Sequence, residues 1–152
     1  MVHNPHFETA ADWAQAAALV DFEPRRPAFT AGFALQSLAV HVMDHRKRRL
    51  PVSARSLEAH YGGFVIDQKR ASCAAQARHL ALSRPHGRAP ATVQVAGQEG
   101  RSYALGPVPE SGDIDGRSPA VVVWHEGDRV YLVASDQLEV ATLLRIAVSL
   151  YD

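Results

Sequence analysis

Residues 119–152 read PAVVVWHEGDRVYLVASDQLEVATLLRIAVSLYD. Two apolar runs flank Gly127-Asp128, a dipeptide typical of two-residue hairpin turns. After Asp136 the apolar period changes from two to about 3.6. The residues that then share one helical face are Val140, Leu143, Leu144, Ala147 and Tyr151. We expect Asp136 to cap this helix and Glu139 to complete a capping box, so the segment predicts a hairpin followed by a helix with one buried face.

Two further elements are indicated in the N-terminal part of the chain. Thr9–Val20 is rich in alanine and predicts a helix capped by Thr9, which Pro24 and Pro27 bring to an end. From Gly32 to Met43 the period is two, and both alternating sets of residues are apolar. This pattern is typical of a strand that is covered on both sides.

The middle of the chain alternates between turn signals and short periodic segments. A hairpin is predicted around Gly62-Gly63, a helix over Ala71–Leu82, a second hairpin that turns near residues 97–100, and a turn-rich linker from Pro107 to Pro119. The expected fold class is α+β, with a curved antiparallel sheet of about six or seven strands and two or three helices. The alanine-rich N-terminal helix is among them, and the C-terminal helix packs on the sheet.

Composition limits the classes of protein and partner that need to be considered. A chain of 152 residues predicts a single domain over residues 1–152. Sixteen basic and sixteen acidic residues balance, so no overall field attracts nucleic acid or an anionic membrane. Cys73 is the only cysteine, which excludes an intramolecular disulfide. Without a leader-like start or a stretch of about 20 apolar residues, we expect a cytoplasmic protein, or an extracytoplasmic one if the sequence is an excised domain.

Histidines are the residues that most invite a chemical interpretation. His41 and His45, together with His3 and His6 or with His60, could in principle bind zinc. No spacing forces three of them to converge, so we expect no metal and no cofactor. Cys73 is expected in the middle of a helix, buried and inert. The run Asp113-Ile114-Asp115-Gly116 lacks the further ligands of a calcium loop and predicts a turn.

The strongest local charge feature is a basic loop that begins at His45. Its cations are Arg46, Lys47, Arg48 and Arg49. Such a cluster could contact phosphates in a salt-sensitive manner. No aromatic residues are interleaved with it and no recognition helix accompanies it, so a solvated hairpin tip that discourages edge-to-edge pairing is the favoured interpretation.

The order of these elements resembles a known family. The segments VDFEPRRPAFTAGFALQSLAVHV, SLEAHYGGFVIDQ and the Trp-bearing hairpin with its terminal helix carry the likeness. The chain is similar to an uncharacterised domain family found on the extracytoplasmic side of bacterial anti-sigma factors and envelope lipoproteins. The resemblance implies a bacterial protein with a lipoprotein-carrier-like, sigma-regulatory sensor fold that binds a partner or an apolar ligand, and it supplies no catalytic residues.

Three functions from different classes remain open. The leading hypothesis is a non-enzymatic binding or regulatory domain that holds a protein segment or a small apolar ligand. Its expected contact residues are His41, His60, His125, Trp124 and Tyr131. An alternative is a small hydrolase or isomerase in which one of those histidines works with Asp67 or Glu126. A third is a structural subunit that forms oligomers through an exposed sheet edge.

Overall fold

A computed structural model describes residues 4–83, 89–107 and 117–152. The fold is α+β, as expected, and three helices accompany one large antiparallel sheet. In chain order the elements are β1 (Phe7–Ala10), α1 (Trp13–Leu19), β2 (Leu35–His41), a 3-10 turn (Val52–Ala54), β3 (Ser56–Tyr61), β4 (Val65–Arg70), α2 (Ala74–Leu82), β5 (Ala91–Val95), β6 (Gln98–Tyr103), β7 (Gly106–Pro107), β8 (Arg117–Ser118), β9 (Ala120–Glu126), β10 (Arg129–Ser135) and α3 (Val140–Ser149).

The large sheet has eight strands rather than the six or seven expected. Their order is β1-β2-β3-β4-β10-β9-β6-β5, every neighbouring pair is antiparallel, and the sheet is open and curled. β7 and β8 form a separate two-stranded ribbon. The two central hairpins turn where the sequence indicates, at Gly62-Gly63 and at Gly127-Asp128. The third turns at Ala96-Gly97, both with positive φ, slightly before the expected position.

The extra strand lies where a helix was expected to begin. Thr9 belongs to β1 and pairs with Ala39 of β2, so its assignment as a helix cap was wrong. α1 begins only at Trp13, and its N-cap is Asp12, whose side chain accepts a hydrogen bond from the Gln15 backbone N at 2.8 Å. Strand pairing with a distant segment therefore overrides the local helix propensity of Thr9 and Ala10.

The two faces of the sheet are covered differently. The inner face carries the main core beneath α1 and α3, and includes Leu38, Val40, Leu57, Ile66 and Val133. On the outer face α2 packs over β6, β9 and β10, where Ala77 and Ala81 meet Val123 and Val130. No described helix covers the outer face of β1 to β4. The expectation that residues 32–43 are covered on both sides was therefore wrong, because one side of β2 remains exposed or half-buried.

α2 is shorter than expected at its start. It begins at Ala74, and Cys73 is the N-cap, with its Sγ accepting a hydrogen bond from the Gln76 backbone N at 3.4 Å. Cys73 is exposed, so the prediction of a buried thiol in mid-helix was wrong. This hydrogen bond lowers the pKa of the Cys73 thiol, because a donor directed at sulfur stabilises the thiolate.

The start of α3 also differs from the predicted capping box. Asp136 is exposed and precedes the helix, while the N-cap is Glu139 and makes no side-chain capping bond. Ser135 organises this turn instead. Its Oγ accepts from the backbone N of Gln137 and Leu138 at 3.1 and 2.9 Å and donates to Gly63 O at 2.6 Å. The buried Ser135 thus ties the approach to α3 to the β3–β4 turn.

Two neighbouring leucines of α3 allow a matched test of this packing. Leu143 is 0% exposed, whereas Leu144 is half-buried beside Phe29. We predict that Leu143→Ala lowers the free energy of unfolding by about 2–5 kcal/mol, because it leaves a cavity in the core. Leu144→Ala should cost about 1 kcal/mol, because solvent already reaches that site. Urea denaturation measures both values, and equal losses would contradict the orientation of α3.

Candidate functional site

Two residues expected to contact a ligand lie in the core. Trp124 and Tyr131 are 0% and 1% exposed, and their rings stack on the inner face with centroids 5.3 Å apart. Trp124 Nε1 donates to the Tyr151 hydroxyl at 2.9 Å, just beyond α3. A ligand cannot contact these rings unless the C-terminal segment moves away, so in this structure both residues serve the packing of α3.

His125 and Glu126 are adjacent in sequence but lie on opposite faces of β9. Glu126 is on the inner side and forms an ion pair with Arg25 at 3.1 Å. His125 lies on the outer side, where its Nδ1 is buried and has no hydrogen-bond partner in the described part of the chain. The sheet itself therefore separates this imidazole from the carboxylate that sequence reasoning offered as its partner.

His41 lies on the outer face of β2 near the N-terminal strand. Its ring centroid is 5.1 Å from that of Phe7 and 6.4 Å from that of His6. His6 Nδ1 lies 3.2 Å from Met43 O. Within residues 4–83, 89–107 and 117–152, no three His, Cys, Asp or Glu side chains are grouped in a way that could hold a metal ion. His3 and the Asp113–Gly116 segment fall outside the described residues.

A cluster of ionisable side chains does occur at the centre of the uncovered outer face. Glu58 of β3 lies directly opposite Asp67 of β4 in the strand register. His60 lies on the same face of β3, and its Nε2 is 3.3 Å from Glu58 Oε2. The structure thus brings together His60 and Asp67, two of the residues named from sequence. Glu58, which was not named, lies between them, beside His60 and opposite Asp67.

Glu58 could have been identified from the position of the hairpin turn. A two-residue turn at Gly62-Gly63 pairs Tyr61 with Phe64, and counting outward from it pairs Glu58 with Asp67. Like charges that face each other across strands destabilise a sheet. The hairpin signal therefore already implied an unfavourable carboxylate pair, which is an informative feature on a surface strand.

The electrostatics of the cluster centre on Asp67. Burial and, to a smaller extent, the nearby Glu58 carboxylate raise the pKa of this carboxyl from 3.8 to about 6, against the opposing effects of Lys69 and His60. A carboxyl with this pKa exchanges its proton near neutral pH. Glu58, His60 and Asp67 are each only partly exposed. We refer to these three residues as the acidic cluster.

A shallow apolar depression adjoins the acidic cluster on the same face. It has a volume of about 380 Å³ and is lined in part by His60, Val65, Pro119 and Ala134. The strand register places His60 opposite Val65 and Val65 opposite Ala134, so the depression crosses three strands. The small Ala134 side chain leaves space there, and a ligand that fills the depression would also meet His60 of the acidic cluster.

The basic loop forms an ordered and exposed hairpin tip. Asp44 Oδ1 accepts hydrogen bonds from the backbone N of Arg46 and Arg48 at 2.8 and 3.0 Å, which lowers the pKa of Asp44. Arg49 lies 3.7 Å from Glu8, and this exposed pair contributes little stability. Lys47 occupies the turn with a φ of 60°. The loop is separate from the acidic cluster.

No protein family, no curated protein and no solved structure matches this chain. Among the described residues, no helix is long and apolar enough to cross a membrane.

The raised pKa of Asp67 predicts a specific pH dependence of stability. Because the native state holds this proton more tightly than the unfolded state, the free energy of unfolding falls as pH rises from about 4 to about 6. Asp67→Asn removes the penalty, so the variant should be more stable than the wild type by about 1–3 kcal/mol at pH 7, and this difference should vanish below about pH 4.

Urea denaturation of both proteins across this pH range measures the difference. Asp136→Asn, at an exposed position, controls for the loss of one negative charge. A difference between the wild type and Asp67→Asn that stays constant with pH would show that Asp67 is not the titrating group.

Proposed function

We propose that this protein is a non-enzymatic binding domain that holds a segment of a protein partner on the outer face of β3, β4 and β10. The segment would place an apolar side chain in the depression and a lysine or arginine side chain on Glu58 and Asp67. The observation that carries the proposal is the unfavourable Glu58–Asp67 pair on the same face as an apolar depression that His60 of the acidic cluster lines.

Charge complementarity identifies the partner's chemistry. Glu58 and Asp67 repel each other, and the described residues supply only His60 and Lys69 as cations that act on Asp67. A guanidinium or ammonium group seated between the carboxylates would relieve the repulsion and lower the pKa of Asp67. A cationic side chain is therefore favoured there over a neutral or acidic one.

The surroundings of the acidic cluster suit a peptide better than a small molecule. The depression is shallow and open on one face of an antiparallel sheet, whereas sites for small molecules usually enclose most of their ligand. The strands beneath it are fixed on their inner face by the main core.

One observation favours a second candidate, a small hydrolase or isomerase. His60 Nε2 lies within hydrogen-bonding reach of Glu58 Oε2, and Asp67 has a pKa of about 6, so the acidic cluster contains groups that could transfer protons near neutral pH. Turnover of a chromogenic ester that is lost in His60→Gln without a change in melting temperature would favour this candidate.

A randomised peptide library tests the proposed binding function. We expect wild-type protein to enrich peptides that carry a lysine or arginine next to an apolar residue. Glu58→Gln and Asp67→Asn should each weaken binding of an enriched peptide at least tenfold, because each removes one carboxylate that contacts the cation. Fluorescence anisotropy of labelled peptides measures the affinities.

Matched variants locate the binding site. Glu23→Gln removes a carboxylate at an exposed position outside the acidic cluster and should leave affinity unchanged. Ala134→Leu should weaken binding by filling the depression while Glu58 and Asp67 stay in place. Enrichment without a preference for basic residues, or equal loss of affinity in Glu23→Gln, would contradict the proposal.

A further inference from the structure

A second concave region lies at one end of the sheet, between the end of β4, the start of α2 and the 3-10 turn. Its volume is about 600 Å³, and its lining is rich in charged and polar side chains. Those that bear on ligand binding are Asp21, Lys69, Arg70, Ser72, Gln76 and Asp128. We call this region the polar cleft. It shares no lining residue with the apolar depression.

One side of the polar cleft has an under-satisfied carboxylate. Asp21 Oδ2 pairs with Arg70 Nη1 at 3.4 Å, which is a long contact. Asp21 Oδ1 is buried and accepts no hydrogen bond from the described residues. A buried acceptor without a donor is costly, so a donor entering the cleft would let this carboxylate turn and satisfy both oxygens.

Another part of the lining has cationic and amide donors without acceptors. Lys69 forms no ion pair within 4.0 Å with any acid in the described ranges, although it lines the cleft. Gln76 accepts from Ser72 through Oε1 at 2.7 Å, which leaves its Nε2 group without an acceptor in the same part of the chain. These two donors suit a carboxylate of a ligand.

Arg70 holds the cleft's shape. Its Nε donates to Asp128 Oδ2 at 2.7 Å while Nη1 reaches Asp21, so the guanidinium links two acids on either side of it. This pairing raises the pKa of Arg70 and lowers that of Asp128. The cleft thus contains two acids and two bases, and within the described ranges Lys69 has no ion pair and one oxygen of Asp21 has no hydrogen bond.

We propose that the polar cleft binds a small zwitterion of the α-amino acid type, with its ammonium group on Asp21 and its carboxylate on Lys69 and Gln76. A simple anion would leave Asp21 Oδ1 without a donor, and a simple cation would leave Lys69 without an acceptor. A zwitterion satisfies both and keeps the cleft neutral. The volume exceeds that of a small amino acid and leaves room for water. This ligand is separate from the peptide proposed above.

Nuclear magnetic resonance titration tests the proposal with defined probes. Glycine, L-alanine, L-serine and L-glutamine would each be added at constant ionic strength and pH, while backbone amide shifts of Ser72 and Gln76 are followed. Sodium acetate, methylammonium chloride and sorbitol serve as probes for anion, cation and polyol binding. We expect saturable shifts with at least one amino acid, and an affinity at least tenfold above those of the three comparison compounds.

Two variants address the two ends of the ligand. Lys69→Met breaks no ion pair of the described structure, so it should fold normally and weaken amino acid binding at least tenfold. Asp21→Asn should also weaken amino acid binding at least tenfold. The melting curve of this variant shows whether losing the contact to Arg70 disturbs the fold. Lys47→Met, at the exposed hairpin tip, should retain the amino acid affinity of the wild type, and Asp67→Asn, in the acidic cluster, should not weaken it.

Several results would overturn the inference. One is the absence of saturable shifts with all four amino acids. Equal binding of acetate alone, of methylammonium alone or of sorbitol would each assign the cleft to another ligand class. Loss of peptide binding in Asp67→Asn with amino acid binding intact would support two separate sites, so failure of the peptide proposal and failure of this one are distinguishable.

Discussion

A clamp between Arg25 and Gln68 is the interaction on which the arrangement of the inner face depends. Gln68 lies in β4 and is 1% exposed. Its Nε2 donates to Arg25 O at 2.6 Å and its Oε1 accepts from Arg25 N at 2.8 Å, so a buried amide is satisfied by the backbone of the Pro-rich connection. The Arg25 guanidinium then reaches Glu126, Tyr131 Oη and Leu150 O, and lies 4.3 Å from the Tyr151 ring centroid. Arg25 thereby joins the connection, three strands and the end of α3. Removing its side chain would take a hydrogen-bond partner from the Tyr131 hydroxyl and from Leu150 O, both in buried residues.

This clamp explains why the acidic cluster and the apolar depression lie on the outer face. The aromatic residues that first suggested an apolar ligand, Trp124 and Tyr131, belong to the same inner-face assembly as Arg25. Opening that face would break the stacking, the Arg25 contacts and the Gln68 pair together. The outer face of β2 to β4 is not engaged in this way, and its ionisable side chains are partly exposed. A rigid inner face thus supports an outer surface where side chains can serve binding without a loss of core packing.

Local patterns predicted the parts of the fold whose partners are close in sequence. The Gly62-Gly63 and Gly127-Asp128 hairpins follow from turn chemistry, and periodicity correctly identified Leu143 and Ala147 as buried residues of α3. The predicted face was wrong in including Leu144, which is half-buried, in place of Ile146, which is fully buried. Two of the misses share a physical cause, since each depends on a partner far along the chain. β1 exists because it pairs with β2 about 30 residues later. Ser135 replaces Asp136 at the start of α3 because Gly63 O, 72 residues away, fixes its hydroxyl. At the site, His60 and Asp67 were named from sequence, whereas Glu58 required the strand register and the polar cleft required the tertiary contacts of Asp21 and Arg70.

Lys69 connects the two proposed sites physically. It lines the polar cleft, and its positive charge lowers the pKa of Asp67 in the acidic cluster. A ligand carboxylate that neutralised Lys69 would remove this stabilisation of the Asp67 carboxylate and so raise the pKa of Asp67 further. Linkage is reciprocal, so protonation of Asp67 would strengthen binding of the same carboxylate at Lys69. A basic side chain bound at Glu58 and Asp67 would act in the same sense, because it also adds positive charge beside Asp67 and offsets the negative field that disfavours a carboxylate at Lys69. Occupation of the polar cleft and occupation of the acidic cluster should therefore favour each other, through one lysine between them and without any movement of the sheet.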